Sequence, residues 1–79
     1  MAIYIEIRKV KEHEVFADFV CSLVDGRKGR IRLDKMTGDI SLLEAIPGDT
    51  ENRLFSRASY KIKKHWSLGE IPEKTSWAS

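Results

Sequence analysis

The sequence predicts an α+β fold, a four-stranded antiparallel β-meander with one C-terminal α-helix packed across one face. Three observations lead there. Ile3, Ile5 and Ile7 alternate with Tyr4, Glu6 and Arg8, the period of two that sends one set of side chains to a buried face. Glycine-bearing reversals at residues 25–29 and 35–38 then separate further runs rich in β-formers. Beyond Pro47 and Gly48 the apolar spacing changes to that of a helix.

The first strand covers about residues 2–10, and a polar connection follows it to Glu14. The second, about residues 15–24, turns Val15, Ala17, Phe19, Cys21 and Leu23 inward. Gly26 and Gly29 let the chain reverse into a third strand, about residues 29–34, with Ile31 and Leu33 inward. Gly38 is placed for the left-handed position of a short hairpin. The fourth strand, about residues 39–46, buries Ile40 and Leu42 and stops at Pro47. Asp49 or Thr50 caps a helix over about residues 50–66, with Glu51 in its first turn. Projected at about 100° per residue, Leu54, Phe55, Ala58, Ile62 and Trp66 share the face that covers the sheet. Pro72 prevents further helix, and Ile71 and Trp77 make the tail, residues 67–79, a strap packed back on the domain.

At 79 residues the chain has material for a single domain, near the lower limit for a core without disulfides or metal. Its 42% hydrophobic and 33% charged residues are those of a folded, soluble protein. The single cysteine, Cys21, lies within an apolar run, which suggests a buried, inert thiol and a reducing, cytoplasmic setting. No membrane span or targeting segment is expected. The net charge of +2 is unevenly spread. Residues 1–50 hold 8 Lys/Arg against 9 Asp/Glu, and residues 51–79 hold 6 against 3.

Parts for catalysis are wanting. His13 stands between Glu12 and Glu14 in a polar connection, where a solvated loop is the simpler reading than a proton shuttle or metal site. No P-loop or dinucleotide fingerprint surrounds the glycines, so no catalytic, cofactor-binding or metal residue is assigned. Binding is better supplied. Arg53, Arg57, Lys61 and Lys64 fall within a sector of about 80° on the helix, with Tyr60 beside them. The sheet face away from the helix shows Tyr4, Phe16, Asp18, Arg30 and Arg32, a mixture of aromatic anchors and charge that suits an interface. These ten residues are the candidate partner-binding set.

The opening 2–7 (Ala-Ile-Tyr-Ile-Glu-Ile), the hairpin 33–40 (Leu-Asp-Lys-Met-Thr-Gly-Asp-Ile), the helical stretch 57–66 and the tail 72–78 (Pro-Glu-Lys-Thr-Ser-Trp-Ala) together resemble small immunity proteins of contact-dependent growth inhibition and related polymorphic toxin systems. The resemblance implies a bacterial cytoplasmic protein without enzymatic turnover or cofactor, binding one cognate toxin domain and blocking its active site or assembly. It transfers no site by position. The alternative from a different class is a small nucleic-acid-binding module that uses the basic helix stripe. The chain itself is expected as a monomer or weak homodimer.

Overall fold

In the computed structural model, which describes residues 3–78, the alternating β-runs pair as a sheet of five strands, one more than the sequence suggested. They are β1 (Tyr4–Glu12), β2 (Phe16–Leu23), β3 (Lys28–Asp34), β4 (Ile40–Glu44) and β5 (Lys74–Ala78). Every pairing is antiparallel, in the order β4-β3-β2-β1-β5. The fifth strand is the tail. Trp77 lies opposite Ile5 and Thr75 opposite Ile7, so the strap is hydrogen-bonded into the sheet beside the first strand. Residue 2, where the first strand was expected to begin, and residue 79 lie outside the described residues.

One helix, α1 (Arg53–Ser67), covers one sheet face. Ala58 and Ile62 are its fully buried residues, and with Ile5, Ile7, Ala17, Phe19, Cys21, Ile31, Leu33 and Ile46 they form the core. Leu54, Phe55, Trp66 and Trp77 pack against that core from its margin. The helix starts three residues later than the sequence suggested, because Thr50–Asn52 forms a 3₁₀ turn and both Glu51 and Asn52 have positive φ. Asp49 still acts as the cap from upstream. Its two carboxylate oxygens accept the backbone N–H groups of Leu54 (2.9 Å) and Phe55 (3.0 Å), two of the donors a helix start leaves unpaired.

Two glycines answer to packing. Gly38 has φ +82°, and a Cβ there would come within 2.6 Å of the Trp66 ring, whose Nε1 donates to the Lys35 carbonyl at 2.9 Å. A Cβ on Gly29 would stand 2.7 Å from the Glu44 carbonyl oxygen and from Ile46 Cγ1, so Ile46 crosses directly over it.

Departures from strict alternation decide which charges reach the open face. In β1 the register shifts between Lys9 and Lys11, leaving Val10 as an extra residue. Lys9 stays opposite the inward residue Phe19, while Lys11 moves opposite Asp18 on the open side. In β4 a similar shift sets Glu44, not Leu43, across from Arg30. Val15, expected inward, lies ahead of β2 and is 54% exposed.

Candidate binding surface

The ten candidate residues separate onto two sides of the sheet. Arg53, Arg57, Tyr60, Lys61 and Lys64 belong to α1, whereas Tyr4, Phe16, Asp18, Arg30 and Arg32 lie on the strand positions that alternate with the core set. They cannot form one continuous patch. Even within the sheet group Tyr4 stands apart: it begins β1 near the end of β2, about 25 Å from Phe16 at about 3.3 Å per residue.

On the helix, part of the stripe is occupied within the chain. The Arg53 guanidinium pairs with Glu51 at 3.0 Å. Arg57 lies over the Trp77 ring, its Cζ 5.3 Å from the centroid, a cation–π contact that fastens β5 to α1. Lys61 and Lys64 make no ion pair among the described residues. Tyr60, 63% exposed, turns away from β5 into a shallow groove of about 440 Å³ that it lines with Asp39, Ile40, Phe55, Ser56, Ser59 and Lys63.

The open sheet face is organised around one buried charge. Asp18 is only 2% exposed although no helix lies on this side. Antiparallel register puts Arg32 directly opposite it. Arg32 donates from Nε to Asp18 Oδ1 at 2.7 Å and from Nη2 to Oδ2 at 3.0 Å, the two-pronged geometry that planar guanidinium and carboxylate groups favour. The Arg32 Cζ lies 4.0 Å from the Phe16 ring centroid, and His13 stacks on Phe16 at 4.5 Å and 28°. Arg32 holds the Asp18 carboxyl below the usual carboxylate range, with burial opposing it and Lys11 and Arg30 adding to the lowering. Lys11, Lys28 and Arg30 form no ion pair among the described residues. Along the same face, Glu6, Arg8, Val10, Val20, Ser22 and Lys28 line a depression of about 380 Å³.

Sequence reading missed Lys11, because it reaches this face only through the β1 bulge, and Lys74, which stands opposite Arg8 and pairs with Glu6 at 3.5 Å, because β5 was read as a strap. Strict alternation beyond Ile7 would carry Lys11 inward with Lys9, opposite to where it lies. The bulge itself has no marker in those residues.

Several other polar groups are engaged structurally. Glu12 pairs with Lys35 (2.8 Å) and Lys9, which together lower its pKa to about 2, Lys35 contributing most. Lys9 also meets Glu73 at 2.9 Å, and its pKa is raised by Glu12 first and Glu73 second. His65 Nδ1 lies 2.9 Å from Glu70 Oε1 and Nε2 lies 3.0 Å from Thr75 Oγ1, joining the end of α1 to β5. Burial pushes the Cys21 thiol up to about 12, so it is a poor nucleophile at neutral pH. Among the described residues no cluster of three or more His, Cys, Asp or Glu is disposed to hold a metal ion, and no helix is long and apolar enough to cross a membrane.

No family model, no curated protein and no solved structure matches this chain. What the geometry defines is a bare antiparallel sheet face with a rigid charged centre.

Proposed function

We propose that the chain is a non-enzymatic binding protein of the immunity kind, which neutralises a cognate bacterial toxin domain in the cytoplasm by forming a one-to-one complex through its open sheet face. The observation that carries this reading is the combination of an uncovered five-stranded sheet with three cations, Lys11, Lys28 and Arg30, that form no ion pair among the described residues. Such charges steer an acidic surface into place, and the fixed Arg32–Phe16 pair supplies the kind of rigid anchor on which interface energy concentrates.

A nucleic-acid reading through the helix stripe has less behind it, since Arg53 and Arg57 already hold Glu51 and Trp77. The test is co-expression and co-purification with the product of the neighbouring upstream gene. A stable complex that is lost in the Lys28→Glu/Arg30→Glu variant and retained in Lys61→Glu/Lys64→Glu is expected. An upstream product without a toxin-like domain, or no complex, ends the proposal.

A further inference from the structure

A carboxylate at 2% exposure on a sheet face with no layer above it calls for a reason. Burying an ion pair costs desolvation, and apolar residues of similar volume often serve stability as well. The Asp18–Arg32 pair does something an apolar pair would not: it fixes a guanidinium in one orientation. Asp18 takes Nε and Nη2, and Phe16, itself backed by His13, lies against the guanidinium. Nη1 makes no hydrogen bond among the described residues, and the Arg32 side chain remains 40% exposed. A long side chain has thus lost its rotamer freedom before any partner arrives, which is the entropy a binding arginine otherwise gives up on association.

The surroundings specify the ligand. Lys11 sits opposite Asp18 on one side and Arg30 lies two residues along β3, both without ion-pair partners among the described residues. The net positive potential left around Nη1 suits an anion. Glu44 leaves a negative charge across from Arg30 that a continuous phosphate chain would meet, and Phe16 is already in contact with Arg32 and His13 instead of standing free to stack on a base. An isolated carboxylate fits better than a polyphosphate.

We infer that Arg32 is the pre-oriented anchor of a carboxylate-binding site on the open sheet face, flanked by Lys11 and Arg30, and that it takes an Asp or Glu side chain of a partner protein. Asp18 and Phe16 are positioning residues in this site. The inference rests on the open face being the protein-binding surface, but its test needs no toxin.

The ¹⁵N-labelled full chain is titrated with a deca-glutamate peptide while the Arg32 Nε–Hε signal and the backbone amides are followed. Arg32 Hε and the amides of Lys11, Asp18 and Arg30 should shift together and saturably, and added salt should weaken the binding. Arg32→Lys keeps the charge but not the fixed fork, and should weaken binding about fivefold or more with the amide dispersion of a folded chain intact. Asp18→Asn should broaden the Arg32 Hε signal and give an intermediate loss. Shifts confined to Lys61, Lys63 and Lys64, or an Arg32→Lys variant that binds as well as the parent, would overturn the inference. An oligothymidylate of equal charge binding more tightly at the same signals would also overturn it, in favour of phosphate. Peptide binding at Arg32 without any complex with the upstream product leaves the site standing and removes the toxin reading; the reverse result removes the site alone.

Discussion

Two basic regions lie on opposite sides of the sheet, and they differ in what their charges already do. On α1, Arg53 holds Glu51 and Arg57 lies on Trp77, so half of the four-residue stripe serves the fold. On the open face, Asp18 and Arg32 hold each other, while Lys11, Lys28 and Arg30 form no ion pair among the described residues. The helix is the more basic element in the sequence. The sheet face is the better-organised surface in three dimensions, because antiparallel register gathers charges from β1, β2 and β3 that are far apart along the chain. Local charge density along the chain therefore does not show which charges are already engaged within the fold.

The comparison can be broken most forcefully at the core side. Ile62→Ala removes a fully buried side chain from α1 and should cost about 2–5 kcal/mol, read by urea denaturation. If the loss is under about 0.5 kcal/mol, α1 is not what closes the core. Gly38→Ala comes next, at about 1–3 kcal/mol for positive φ with a clash, since its methyl would meet Trp66 and the backbone has φ +82°. Repacking of Trp66 should show as a change in indole fluorescence.

Acid sharpens the electrostatic side. Glu12, held at about 2 in the folded chain and near 4.5 when unpaired, makes its contribution fully above about pH 4.5, and that contribution fades as pH falls towards 2. Asp18 acts in the same direction, because a lowered folded pKa means that the unfolded chain binds more protons. Denaturation midpoints should thus drop on acidification below pH 4.5, with a flatter profile in Glu12→Gln. A midpoint that rises over this window would contradict the pairing of Glu12 with Lys35 and Lys9. The smallest effect belongs to Lys61→Ala and Lys64→Ala, within about 0.5 kcal/mol of the parent. A larger loss would mean that the stripe supports the fold beyond Arg53 and Arg57.

Much of this architecture was legible from periodicity. The isoleucine alternation marks β1, glycine-bearing turns mark the hairpins, and the projection of Leu54, Phe55, Ala58, Ile62 and Trp66 identifies the face of α1 that meets the sheet. The fifth strand was not legible, because 74–78 is short and its pairing with β1 spans almost the whole chain. Helix spacing also concealed the 3₁₀ turn at Thr50–Asn52, where Asp49 caps from four or more residues upstream. For the candidate surface, sequence supplied Phe16, Asp18, Arg30 and Arg32 but not their relations. Those depend on the register of β2 against β3, and the arrival of Lys11 depends on a bulge.

The most direct test of the central claim is the dissociation constant of the complex with the upstream gene product, measured for the parent, Arg32→Lys and Lys61→Ala/Lys64→Ala. The account predicts a rise of about tenfold or more for Arg32→Lys, which corresponds to about 1.4 kcal/mol, and no change for the helix variant. A tenfold rise in the helix variant with Arg32→Lys unchanged would place the binding surface on α1 and contradict it.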